Sequence, residues 1–351
     1  MKALRWHAAR DLRLEDVPEP DELSPGEALV SVSYCGICGT DLHEYTDGPV
    51  MIRPNPHPLT GASPPLTLGH EFSGTLVALN RDVTGFEVGQ RVTVDPCWRC
   101  DDCYWCVRGD YHICKRGGSI GLASDGALAP LVRVPAQGLV KLAEEIDDRT
   151  AALIEPLAVG LHAVRRGRVE PGDSVLVIGC GPIGAAVILT ARAAGAMVYV
   201  TEPTRRRREL ALELGATEAF DPETSDARRE VYVRTGRIGP DVVFECTGVA
   251  SLMPSAIDSV RRGGRIVLVG VGHGTAAVAP QRIVPYEREV LGSLGYRHDL
   301  PRVVELIRSG SINPAPMITG VVPLEEAVRG AFDVLLADRA HHMKLLIAVD
   351  P

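Results

Sequence analysis

The sequence predicts an α/β protein of two domains: a mostly β domain over residues 1–150, and a doubly wound parallel sheet that begins near residue 151. Three observations carry this. The chain has 351 residues, enough for two ordinary domains with a sizeable core. Up to about residue 150, short apolar runs are broken by Gly, Pro and Asp. Beyond it, apolar runs alternate with helix-length segments, the pattern of βαβ units whose strands are covered on both faces.

In the first half, Ala28-Leu-Val-Ser-Val-Ser33, Gly74-Thr-Leu-Val-Ala-Leu79 and Arg91-Val-Thr-Val94 read as strands, with Gly85 to Gly89 as the turn before the last. Asp47 to Leu68 holds six prolines and few periodic apolar positions, so an irregular excursion is expected there. In the second half, the apolar run Ser174 to Ile178 precedes a Gly-rich turn and a helix over Ile183 to Ala194. Then come a strand at Met197 to Val200, a helix over Arg205 to Leu214, and strands at Val242 to Phe244 and Arg265 to Gly270. Past residue 290 a short helix, Pro301 to Ser309, and a terminal strand, Lys344 to Val349, complete the chain, with no internal repeat.

Apolar residues make up 45% and charged residues 23%, the balance of a globular protein. A net charge of −8 argues against a general nucleic-acid-binding surface. No apolar run of about 18 residues is present, so no membrane span is expected, and the charged N-terminus offers no signal-peptide core. Of nine cysteines, five (Cys97, Cys100, Cys103, Cys106 and Cys114) crowd into one short stretch of chain. Such spacing marks a metal site rather than disulfides and points to the reducing cytoplasm.

Gly179-Cys-Gly-Pro-Ile-Gly184 fits G-x-G-x-x-G, and here it follows a buried strand and opens a helix. Gly179 permits the tight turn, Gly181 lets the backbone approach a pyrophosphate, and Gly184 permits close packing of helix on strand. Pro182 and Ile183 lie at the entry to the helix, whose free N–H groups face the phosphates. Glu202, at the end of the strand that follows this helix, is placed to bind the ribose hydroxyls of NAD and to repel the 2′-phosphate of NADP. The arginines at 205 to 208 run counter to that, since one of them, with Arg207 counted among the cofactor residues, can pair with such a phosphate. NAD is the expected cofactor.

Two zinc sites are expected. Cys100, Cys103, Cys106 and Cys114 offer four thiolates from a single loop, a closed tetrahedral set of the structural kind, in which Cys97 can replace one member. A second set centres on Gly69-His70-Glu71, with Cys38 or Cys35 as the thiolate. A Cys, a His and a carboxylate leave one zinc position open for chemistry. Glu155, in Ile154-Glu-Pro156, is either a direct ligand or the holder of a metal-bound water. Thr40 can share the proton of an alcohol at such a site, and His43 can carry it towards solvent.

Gly36-Ile-Cys-Gly-Thr-Asp41, Gly69-His-Glu71, the four-cysteine lobe, Glu155-Pro-Leu157 and Gly179 to Gly184, taken in this order, resemble the zinc-dependent medium-chain dehydrogenase/reductase family over almost the whole chain. The resemblance implies a GroES-like catalytic domain (1–150 and 291–351, with the zinc lobe at about 96–115) and a Rossmann NAD-binding domain inserted at 151–290. It also implies Cys38 over Cys35 as the ligand, and a dimer or tetramer. Asp41-Leu-His-Glu-Tyr45, Asp47-Gly-Pro49 and Gly292-Ser-Leu-Gly-Tyr296 are most similar to the butanediol dehydrogenase branch of the polyol dehydrogenases. The expected reaction is therefore NAD-linked interconversion of a secondary alcohol, a vicinal diol such as 2,3-butanediol, with its ketone. Sorbitol or another polyol, or threonine, is the alternative substrate. A non-catalytic NAD-binding zinc protein is the alternative of another class.

Overall fold

The computed structural model describes residues 1–272 and 274–349. The chain divides into two compact units, Met1–Glu155 with Ile318–Pro351, and Pro156–Met317.

In the first unit, β1 (Lys2–Ala8) and β2 (Asp11–Asp16) form an antiparallel ribbon. The main strands are β3 (Glu27–Gly36), β5 (Glu71–Leu79) and β6 (Arg91–Val94), with the two-residue β4 (Leu66–Thr67) pairing with β1. A small ribbon of β7 (Cys97–Trp98) and β8 (Gly118–Ser119) flanks the cysteine lobe. The strands β9 (Leu131–Pro135) and β10 (Leu139–Lys141) then join the main sheet. Helix α1 (Gly39–Asp47) follows β3, and the short α2 (Asp148–Ala151) follows β10. Trp6, Phe72 and Leu76 belong to the buried core, as do Phe332 and Ile347 from the returning C-terminal segment. From Gly48 to Pro65 there is neither strand nor helix, as the prolines predict. That excursion is pinned by the buried Glu44 carboxylate, which accepts N–H bonds from Val50, Met51 and Ile52.

In the second unit, β11 (Ser174–Ile178) is buried at every position, which explains its unbroken apolar run. With β12 (Met197–Thr201), β13 (Glu218–Phe220), β14 (Val242–Glu245), β15 (Arg265–Leu268) and β16 (Glu289–Gly292) it forms a wholly parallel sheet in the order β13-β12-β11-β14-β15-β16. Helix α3 (Ile154–Arg166) leads into this sheet. The connections carry α4 (Pro182–Ala193), α5 (Arg205–Glu213), α6 (Ala227–Arg234) and α7 (Met253–Ser259), and α8 (Leu300–Arg308) follows β16. The strand order reverses beside β11, the topological switch point at which doubly wound folds bind dinucleotides.

The first unit is completed by β17 (Ile318–Pro323) and β18 (Lys344–Ala348), the latter lying antiparallel to β3. The compact units divide at 155 and 317, where the sequence led to boundaries at 150 and 290. β16 straddles residue 290 and completes the parallel sheet. Asp299, fully buried, is bonded by His162 and Arg165, which ties the segment after β16 into the same unit. Among the described residues, no helix is long and apolar enough to cross a membrane.

Candidate active site

Helix α1 starts directly after β3, with Cys38 as its N-cap in extended conformation. The Asp41 carboxylate accepts the Cys38 N–H (2.9 Å) in a capping box, which fixes where the Cys38 thiol stands. β5 pairs antiparallel with β3, with Glu71 opposite Gly36. A Cβ at Gly36 would stand 2.5 Å from a Glu71 carboxylate oxygen, so a side chain there would displace that carboxylate. The register of these two strands therefore brings His70 and Glu71 to Cys38. Their ligand atoms all lie within 4.8 Å of one another, with His70 and Glu71 buried.

The thiolate rival, Cys35, is fully buried in β3, and burial pushes its thiol well above the ordinary value. It stands outside the ligand cluster and packs the core beside Gly69. Glu155, 7% exposed near the start of α3, also lies outside the 4.8 Å cluster. Its negative charge nevertheless acts on both His70 and Lys344. The Thr40 hydroxyl is 3.5 Å from the Cys38 sulfur. His43 is three residues further along α1 and half-buried, its carbonyl accepting from Thr46.

Two functional groups escaped the sequence reading. Lys344, the first residue of β18, is 1% exposed and donates to both oxygens of Glu71 at 2.9 and 2.7 Å and to the Ile37 carbonyl at 3.0 Å. Burial works against its ammonium, but Glu71 and Cys38 outweigh that and hold its pKa above the usual value. Asp41, fully buried, has its second oxygen 3.6 Å from His70 Nδ1. Among the described residues, neither of these two atoms has a hydrogen-bond partner. Burial alone would depress the imidazolium of His70, but Asp41 and Cys38 hold its pKa well above normal. A buried acidic set with one His and one thiol suits a divalent zinc ion, and Asp41 is placed to orient the His70 ring behind it.

The four lobe cysteines also converge, their sulfurs within 4.8 Å of one another, and Cys97 lies outside that set. The Cys106 backbone N–H lowers the Cys103 thiol to about 6, whereas burial and the Cys103 sulfur raise Cys106 to about 12. The metal-free lobe thus holds protons that a zinc ion must displace. Because Cys100 and Cys106 stay protonated up to about pH 8 and Cys103 joins them below about pH 6, zinc affinity at the lobe is expected to fall as pH drops from 8 and to fall more steeply below 6. Zinc retention measured by equilibrium dialysis between pH 5 and 8 checks this; a flat profile would contradict it.

In the second unit, Gly179 has φ +88°, which an L side chain rarely adopts. A Cβ at Gly184 would strike the Gly179 carbonyl, while one at Gly181, the N-cap of α4, would meet open space. Packing explains the first and third glycines of the motif; the open space beside the second is what a pyrophosphate requires. Ile183 is half-buried in the first turn of α4. Glu202 is 4% exposed and accepts N–H bonds from Cys180 (2.8 Å) and Thr204 (2.9 Å), which fixes its carboxylate beside the Gly-rich turn. Three arginines of α5 are engaged: Arg205 and Arg206 with Glu209, and Arg208 with Asp221 (2.8 Å). Arg207 is near enough for its charge to act on Cys180.

The family profile described as "Zinc-binding dehydrogenase" matches residues 182–309, and that described as "Alcohol dehydrogenase GroES-like domain" matches residues 24–144. The chain is 39% identical to (R,R)-butanediol dehydrogenase of Bacillus subtilis (strain 168) over 350 residues, which covers 99% of each chain. The crystal structure of 2R,3R-butanediol dehydrogenase from Bacillus subtilis superimposes with a TM-score of 0.93 at 38% identity, again over 99% of each chain. The structure of a Sinorhizobium meliloti 1021 protein described as a zinc-binding dehydrogenase and bound to NADP matches with a TM-score of 0.87 at 32% identity, covering 99% of this chain and 98% of that one.

Proposed function

The chain belongs to the zinc-dependent medium-chain dehydrogenase/reductase family, and on that premise we propose that it interconverts a vicinal diol, 2,3-butanediol, with its hydroxyketone, using NAD. The observation that carries the reading is the convergence of Cys38, His70 and Glu71, with the Thr40 hydroxyl 3.5 Å from the Cys38 sulfur. When bound, zinc supplies a Lewis acid that lowers the pKa of an alcohol, and NAD supplies the hydride acceptor.

The rest falls to the side chains. Cys38, His70 and Glu71 hold the catalytic metal, and Cys100, Cys103, Cys106 and Cys114 hold a second ion that braces the lobe. Glu155, outside the cluster of ligand atoms, holds a water beside the metal rather than binding it directly. Thr40 relays the proton of the substrate hydroxyl, its Oγ1 accepting that proton as its own hydroxyl hydrogen passes on towards His43, which releases it to solvent. Gly181, Pro182, Ile183 and Gly184 offer backbone to the cofactor pyrophosphate, and Glu202 accepts from the ribose hydroxyls.

Discrimination against NADP rests on the Glu202 carboxylate and on the commitment of Arg205, Arg206 and Arg208 to other carboxylates. Arg207 then lies along the adenosine half of the cofactor. Glu202→Ser removes an acceptor to two hydroxyls, and a hydrogen bond to a charged group contributes roughly 1.5–3 kcal/mol. The KM for NAD is expected to rise about tenfold or more, with little change in kcat. Steady-state kinetics with NAD and NADP check this, and an unchanged NAD/NADP preference would contradict the assignment.

The reaction itself is tested by initial rates of NADH formation on 2,3-butanediol, sorbitol and threonine. The diol is expected to give the highest kcat/KM. Turnover of threonine or sorbitol alone would overturn the diol assignment and leave the metal chemistry standing.

A further inference from the structure

Doubly wound sheets bind their dinucleotides outside the C-terminal ends of the strands. At the opposite end, before β14, β15 and β16, the second unit has an open cavity of about 360 Å3. Five arginines line it (Arg228, Arg229, Arg261, Arg262 and Arg288) against two aspartates, Asp226 and Asp258. Asp226 is committed to capping α6, where it accepts the backbone N–H groups of Arg228 and Arg229. Asp258 is shared by three guanidiniums: Arg282 bonded to it, Arg288 at 3.6 Å and Arg228 at 3.9 Å. Arg261 is paired outside the cavity lining, with Asp241 at 2.7 Å. Arg262 lies over the Tyr286 ring at 4.9 Å, with no carboxylate within ion-pair distance among the described residues.

Arg288 is the least exposed of these, its side chain 8% accessible. Its Nη atoms donate to the carbonyls of Arg282 and Val260, while its Nε has no partner among the described residues. Burial, and then the charges of Arg228, Arg262 and Arg282, hold its pKa below the usual value. Cations gathered this closely, in a chain of net charge −8, repel one another until an anion shares the space.

We propose that this cavity is a binding site for a small bisphosphorylated anion, seated on Arg228, Arg261 and Arg262 with Arg288 behind them. Guanidinium forks match phosphate oxygens in pairs, and the volume lies within the range of small-molecule sites. Two phosphates suit it better than one, because Asp226, Asp258 and Asp241 offset only three of the six guanidinium charges of Arg228, Arg229, Arg261, Arg262, Arg282 and Arg288. Sugar bisphosphates and nucleoside diphosphates both carry this chemistry. The site is independent of the redox reading and uses none of its residues.

The test is isothermal titration of zinc-loaded protein, saturated with NAD so that the Gly-rich turn is occupied. Fructose 1,6-bisphosphate and ADP are titrated separately, and the tighter of the two identifies the source. Wild type is expected to bind one equivalent per chain. Arg228→Ser/Arg262→Ser is expected to weaken it about tenfold or more. Arg302→Ser/Arg308→Ser, which removes the same charge from the exposed side of α8, is expected to leave it unchanged. If the first double variant fails to fold, the exposed single change Arg262→Gln replaces it. Absence of binding by both ligands, unchanged affinity in the cavity variant, or equal weakening in the α8 variant would each overturn the proposal.

Discussion

Replacing Cys38 by Ala is expected to lower kcat/KM for 2,3-butanediol by about 10⁴-fold, while leaving the fold and the NAD affinity in place. Cys38 is the one thiolate among the three converging ligands, and it is held at the head of α1 by backbone geometry rather than by buried packing. Its loss leaves His70 and Glu71, a pair that cannot fix a tetrahedral ion. A Lewis acid contributes several kcal/mol to the transition state, and every factor of ten in rate corresponds to about 1.4 kcal/mol. Because the four lobe cysteines are untouched, zinc should fall from two equivalents per chain to one. Cys35→Ala is the matched control: it creates a small core void but removes no ligand, so activity should survive. Metal analysis and kinetics on both variants check this. Equal losses in the two would mean that the thiolate had been wrongly assigned.

The second large effect concerns stability. Lys344→Met should destabilise the metal-free protein by about 3–5 kcal/mol, the cost of stranding a buried carboxylate whose partner has been removed. Glu71 and Lys344 are each 1% exposed and bonded through both carboxylate oxygens, so neither charge has recourse to water. Zinc loading gives Glu71 a second compensating charge, so the deficit should shrink in the zinc-loaded protein. Denaturant unfolding of both forms, with and without zinc, checks this. A deficit of the same size in the two forms would place Glu71 outside the metal's coordination shell.

The contrast between these two residues marks how far the sequence could be read. The four lobe cysteines stand in one short motif whose spacing points to metal chemistry and His70 adjoins Glu71, whereas the choice of Cys38 over Cys35 rests on the family resemblance. Gly179 to Gly184 are as legible as the lobe, because strand, turn and helix are contiguous. Lys344 lies 273 residues from Glu71, and only the pairing of β18 with β3 brings the two together; no local pattern encodes that. Asp41 was visible inside the Cys35 to Asp41 motif, but its double task of capping α1 and facing His70 depends on the register of β3 against β5.

Among the elements, β1 and β2 carry charges at close intervals, so no apolar run betrays them; they pair through a turn at Arg10, where φ is +62°. Helix α3 is buried at almost every position from Ile154 to Val164, which erases the one-sided pattern by which a helix is recognised. The second unit extends past residue 290 because a sixth strand can be recognised only by its partner, β15.

The central claim, that a zinc ion held by Cys38, His70 and Glu71 makes this chain a diol dehydrogenase, is tested most directly by titrating zinc into metal-free protein while following NADH formation from 2,3-butanediol. The account predicts two equivalents bound per chain and activity restored in the wild type, while Cys38→Ala protein binds one equivalent and stays inactive. Activity in that variant, or none in the wild type at two equivalents, would contradict it.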